Sequence, residues 1–66
     1  MMKNVIIEAK DIVRVRLYDL LGQCLIEKED SGDKVEISIS HLEPAVYAIE
    51  IMTKQGRIVQ KLNVTR

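Results

Sequence analysis

Two side chains in this 66-residue chain have the chemistry of a nucleophile and a base at neutral pH, the single cysteine Cys24 and the single histidine His41. A thiolate served by an imidazole is a working catalytic pair. Against that reading, Cys24 falls within a strand-like run, Gln23–Glu29, where a lone cysteine behaves as a small inert hydrophobe. Nothing in its sequence neighbourhood would depress its pKa. His41 sits among turn residues, and one histidine with one cysteine cannot complete a tetrahedral zinc site. A single cysteine also excludes an intrachain disulfide. The carboxylates Glu27, Glu29, Asp30 and Asp33 crowd one segment, but Lys28 and Lys34 interrupt them. Their spacing matches no calcium loop, and mixed charge is the ordinary state of a solvated turn. Arg14 and Arg16 form a two-residue basic patch. Two tyrosines, with no phenylalanine or tryptophan, leave no aromatic platform for stacking bases. Ten basic residues balance ten acidic ones, so no net field draws nucleic acid or an anionic membrane. The three glycines are solitary, which excludes a phosphate-cradling loop. The inventory predicts no catalytic residue, no metal, no cofactor and no enzyme.

The elements that must position these side chains are strands. Isoleucine occurs nine times and valine seven, against three alanines. Branching at Cβ suits a pleated surface better than a helix. Val13, Val15 and Leu17 alternate with Arg14, Arg16 and Tyr18; Val35, Ile37 and Ile39 alternate with Glu36, Ser38 and Ser40. Tyr47, Ile49 and Ile51 alternate with Val46, Ala48, Glu50 and Met52, and Ile58, Gln60, Leu62 and Val64 share one parity. Period two of this kind marks strands with one buried face. Asn4–Ala9 reads as an edge strand. Three segments carry turn chemistry, with an early polar residue and a glycine near the end: Asp19–Gly22, Asp30–Asp33 and Thr53–Gly56. The last lies between two strong strand patterns and predicts a tight hairpin. Ser40–Ala45, with the only proline, Pro44, predicts a crossing between sheets that contains one helical turn at His41-Leu42.

Six strands with one apolar face each predict a single all-β domain over residues 1–66, a small antiparallel sandwich or partly closed barrel. Its expected core is Val15, Leu17, Leu25, Val35, Ile37, Ile39, Leu42, Tyr47, Ile49, Ile51, Ile58, Leu62 and Val64. Glu36 and Glu50 are the expected cross-strand mates of the two arginines. At this length about 60 % of the unfolded surface is buried, so stability is marginal. No apolar stretch approaches the roughly 20 residues of a spanning helix. The N-terminal residues lack the h-region of a signal peptide.

Three stretches carry a family resemblance. Val15-Arg16-Leu17-Tyr18-Asp19-Leu20-Leu21-Gly22-Gln23 resembles the opening motif, apolar-Tyr-Asp-x-x-Gly-basic, of the C-terminal sorting domains of the type IX (Por) secretion system of Bacteroidetes. Ile37–Tyr47 is similar to the second motif, an apolar-Ser-x-Leu-x-x-Gly-x-Tyr run, and Thr53–Val64 to the closing hairpin with its Gly-Arg and late lysine. Together they span about residues 13–66. The resemblance implies an immunoglobulin-like β-sandwich of about six or seven strands that does no chemistry. It implies a secretion signal read by outer-membrane sorting machinery, on a protein exported through the periplasm to the cell surface or beyond. Tyr18, Asp19, Gly22, Leu42, Tyr47, Gly56 and Lys61 match the motifs, and the resemblance implies that Leu62 to Arg66 form the part such a signal offers to its receptor. Two positions depart from the pattern. Gln23 replaces a basic residue, and Ala45 stands where the family prefers glycine; if that position needs positive φ, alanine costs on the order of 1 kcal/mol. A second reading from the same residues is a small free-standing β-sandwich that binds a protein partner or pairs with itself through exposed edges.

Overall fold

A computed structural model describes residues 4–65, apart from the side chain of Asp30. Among them every regular element is a strand: β1 (Asn4–Tyr18), β2 (Cys24–Ser38), β3 (Ala45–Thr53) and β4 (Gly56–Val64). All pairings are antiparallel, in the order β2-β1-β3-β4. The six expected runs are therefore all extended, but they are joined into four strands. Asn4–Ala9 and Val13–Tyr18 are two halves of β1, and the runs on either side of Gly32 are two halves of β2.

A straight 15-residue strand would be about 50 Å long, whereas the longest dimension of the molecule is 33 Å. Both long strands must therefore bend. The register between them breaks between Glu8 and Ile12 and again before Arg14, and two residues there take positive φ, Asp11 at 56° and Gly32 at 143°. The Asp30–Asp33 segment, expected as a chain-reversing turn, is thus a bend inside β2. Pairing with β1 resumes on both sides of it, so the strand is deflected and not reversed. The bend folds the first half of β1 and second half of β2 over the rest of the sheet. Ile7, Val35 and Ile37 from that flap join Val15, Leu17, Tyr47, Ile49, Ile51 and Val64 in one core. The flap half of β1 has β2 as its only paired neighbour, in keeping with an edge strand.

Ten of the thirteen expected core residues are buried. Leu25 and Ile58 are not, at 44 % and 39 % exposed, and Leu62 is half-buried. Ile58 shares the inner face with Ile51 but lies on the outermost strand, whereas Leu25, in a run that fits either face, is the extra residue at the register shift between Leu17–Ile26 and Tyr18–Cys24. Ile7 and Ile12 join the core in addition. The bulge between Ile12 and Arg14 turns Val13 outward, 49 % exposed, and gives its place to Ile12. Of the two expected cross-strand mates, Glu50 stands opposite Arg16 as expected, and Glu36 faces no arginine. Arg16 Nε reaches Glu27 Oε2 at 2.5 Å, and Glu50 receives Arg57 at 3.3 Å. Glu36 accepts the Asn4 amide instead. Arg14 Nε is enclosed without a hydrogen-bond partner. Register decides this: Arg16 lies between Glu27 on β2 and Glu50 on β3, while Glu36 pairs with Ile6 in the flap. The hydrogen bond to Glu27 raises the Arg16 pKa further above its ordinary range.

Asp11 ties the bend together. Its N–H donates to Asp33 Oδ1, its carbonyl accepts from the Lys54 N–H, and its Oδ2 accepts from the Gln55 side-chain amide, each at 3.1 Å. Aspartate tolerates the left-handed region better than most residues, and a β-branched side chain does not. Asp11→Val is expected to cost roughly 2 kcal/mol and Asp11→Asn under about 0.5 kcal/mol in urea unfolding. Equal effects of the two would show that the bend does not depend on this conformation.

Candidate recognition surface

The motif residues are placed by two connections at one end of the sheet. The first joins β1 to β2. Asp19 Oδ1 accepts the N–H groups of Leu21 and Gln23, each at 2.9 Å. The Asp19 carbonyl accepts the Gly22 N–H at 3.1 Å, and the Asp19 N–H donates to the Gln23 carbonyl at 3.0 Å. Gly22 completes the turn with φ of 86°, a conformation glycine adopts without the steric cost of a side chain. Only main-chain atoms of Gln23 take part, so the turn is indifferent to the loss of a basic side chain there. One carboxylate satisfying two amides across five residues is the Asx-type chemistry expected of this segment. Its consequence is that Leu20 and Leu21, at the tip, are held out in solvent, 77 % and 87 % exposed.

The second connection, residues 39–44, carries the chain from the flap to β3. It holds a turn closed by the Leu42 N–H on the Ile39 carbonyl at 3.1 Å, and the expected helical turn at His41-Leu42 is not formed. Pro44 lacks an N–H and restricts the residue before it, which favours leaving helical conformation here. Leu42 is buried, and so is the Tyr47 ring, whose hydroxyl donates to the Glu43 carbonyl at 2.6 Å. A tyrosine bonded back to the main chain a few residues upstream also fixes a corner of immunoglobulin-like sandwiches. Ala45 opens β3 in extended conformation, and among the described residues Asp11 is the only non-glycine with positive φ. The strain expected from alanine at this position is therefore absent.

Between the two connections lies an open depression of about 440 Å³. Asp19, Leu20, Leu21, Leu25, His41 and Leu42 line it, with the start of β3 through Tyr47 forming its floor. Of the motif residues, Asp19, Leu42 and Tyr47 meet here, and Gly22 belongs to the same turn. Tyr18 stands at the end of β1, opposite Cys24 on one side and Ala48 on the other. Lys61 on β4 is also opposite Ala48, so Tyr18 and Lys61 occupy one row of the sheet with a small residue between them. Gly56 lies at the far end, where Thr53 Oγ1 accepts the Gln55 N–H and donates to the Gly56 carbonyl in the β3–β4 turn. Arg66 lies outside the described residues. Cys24 opens β2 with its thiol exposed, donating to the Ile26 carbonyl at 3.4 Å, and His41 lines the depression. Among the described residues no three histidine, cysteine or carboxylate side chains gather where a metal could bind.

Leu20, Leu21 and Val46 are not singled out by motif or by strand pattern. A signal is nonetheless present, because two adjacent leucines at the centre of an Asp-x-x-Gly turn are apolar residues where turn chemistry places polar ones. Among the described residues no helix is long and apolar enough to cross a membrane. Compared with known families, the chain matches the model of the secretion system C-terminal sorting domain over residues 1–65. Comparison with curated proteins and with solved structures gives no significant match.

Proposed function

Since the chain belongs to the secretion system C-terminal sorting domain family, we propose that the end of the sheet carrying the two motif connections is the face it offers to the export machinery. Domains of this family are C-terminal sorting signals recognised by the type IX secretion system, and they occur on proteins exported to the cell surface or the extracellular space. One observation carries the assignment to this end. Two motifs about twenty residues apart converge on a single apolar depression, with two leucines held above it by the Asp19 carboxylate. A buried Tyr47 and a left-handed Gly22 alone would be explained by folding. Exposed leucines at a rigid turn oppose solubility and are accounted for by a partner that covers them. The domain acts by being bound and carries out no reaction of its own; Cys24 and His41 serve as an edge-strand residue and a wall of the depression.

The test is export. Residues 1–66 fused behind a signal peptide and a reporter, in a host with the type IX system, are expected to carry the reporter to the surface or medium. A reporter that stays periplasmic, while a reference sorting domain exports it, would sink the proposal.

A further inference from the structure

The sheet has two outer edges, and they are built differently. β2 is irregular. Its pairing with β1 shifts register three times, it carries Glu27, Lys28, Glu29, Lys34 and Glu36, and Lys28 Nζ folds back to the Glu36 carbonyl at 2.8 Å. Bulges and mixed charge are the devices that blunt an edge against further pairing. β4 has no bulge, and its only charges are Arg57 and Lys61, of which Arg57 is already paired with Glu50. It pairs with β3 without a shift from Gly56 to Val64 and has no neighbour on its other side. Every second residue of such a strand presents its N–H and C=O to the free edge. Ile58 and Val59, on opposite faces, are 39 % and 57 % exposed.

The charge on β4 selects its occupant. The strand carries Arg57 and Lys61 and no carboxylate. Arg57 is neutralised by Glu50 at 3.3 Å, whereas Lys61 is exposed and has no ion-pair or hydrogen-bond partner among the described residues. A second β4 laid antiparallel across this edge with Lys61 opposite its own copy or opposite Val59 brings two ammonium groups onto one face within direct or diagonal reach, which is unfavourable. A strand with carboxylates at alternate positions places one opposite Lys61 and sets its β-branched residues beside Ile58 and Val59.

We infer that the free edge of β4 accepts an added antiparallel strand from a protein partner, an extended acidic segment read by main-chain pairing and by Lys61. This contact goes beyond the reading of the motif end and does not depend on it.

The 66-residue chain would be titrated with two short synthetic peptides, one alternating valine with glutamate and one alternating valine with lysine, while amide hydrogen exchange is followed by NMR. The acidic peptide is expected to slow exchange at alternate amides within residues 57–63 and to leave β2 unchanged. Lys61→Glu is expected to weaken that peptide roughly fivefold and to improve binding of the basic one. Three results overturn the inference: equal protection by both peptides, no protection of β4 at millimolar peptide, or protection that moves to residues 19–22 and 41–47. Protection of β4 without peptide, with a doubled mass in sedimentation, would assign the edge to a second copy and overturn it as well. None of these outcomes bears on export, so failure here leaves the sorting proposal standing and failure of export leaves this one standing.

Discussion

Leu17→Ala is expected to remove about 3 kcal/mol of stability, within the range for truncating a buried leucine. Leu17 is fully enclosed, with Ile26 of β2 and Ile49 of β3 as its cross-strand neighbours and the folded-over flap above it. A chain of this size holds only on the order of 3–5 kcal/mol, so the substitution removes most of what keeps it folded. With a urea dependence of about 1 kcal/mol per molar, the unfolding midpoint followed by circular dichroism should fall by roughly 2–3 M. Leu25→Ala is the matched control, because Leu25 is 44 % exposed on the outer strand. It should cost less than about 1 kcal/mol. Comparable losses for the two leucines would show that the flap does not cover β1, and with it the folded-over sheet would fall.

The contrast between those leucines marks the limit of what the amino-acid pattern specifies. Alternation places Leu17, Ile49 and Ile58 on an inner face, whereas Leu25 lies in a run, Gln23–Glu29, that fits either face. Periodicity reports which way a side chain points from its own strand. It does not report whether another layer covers it, as at Ile58, nor where a register shift inserts an extra residue, as at Leu25. The bends are hidden for a related reason. Asp30-Ser31-Gly32-Asp33 has the composition of a reversing turn, and composition cannot separate a reversal from a deflection when the partner strand bends at the same point. The decisive residue, Asp11, gives no local signal, because its three partners come from β2 and from the β3–β4 turn. The recognition end is legible in the sequence to the extent that it is local. Asp19 and Gly22 announce their turn, and Leu42 and Tyr47 announce a packed corner. That the two connections face one another across a depression follows from strand order, which brings β3 against β1 and leaves β2 outside. The same order explains why Gly56, though part of the third motif, lies at the opposite end.

That placement makes the second large effect a loss of export without a loss of fold. Leu20→Ser combined with Leu21→Ser is expected to leave the urea midpoint within about 0.5 kcal/mol of the parent, since both side chains are solvent-exposed and their surroundings lose no packing. Burying a leucine against a partner is worth roughly 1.5–3 kcal/mol. Losing two should weaken a contact made at this turn by at least about a hundredfold, and the exported fraction of a fused reporter should fall by at least about tenfold. Val13→Ser provides the comparison. Val13 is also an exposed aliphatic, turned outward by the β1 bulge at the far end of the sheet, and its loss should not alter export. If the leucine pair exports like the parent, or Val13→Ser impairs export equally, the leucines are bystanders and the recognised surface lies elsewhere. If the pair fails while its midpoint holds, the role of Asp19 becomes separable from its role in folding. Its two hydrogen bonds to the Leu21 and Gln23 amides then serve to hold the leucines in position before a partner arrives. Fixing that position in advance lowers the ordering cost of binding, which is the physical reason for a carboxylate and a glycine to bracket two leucines.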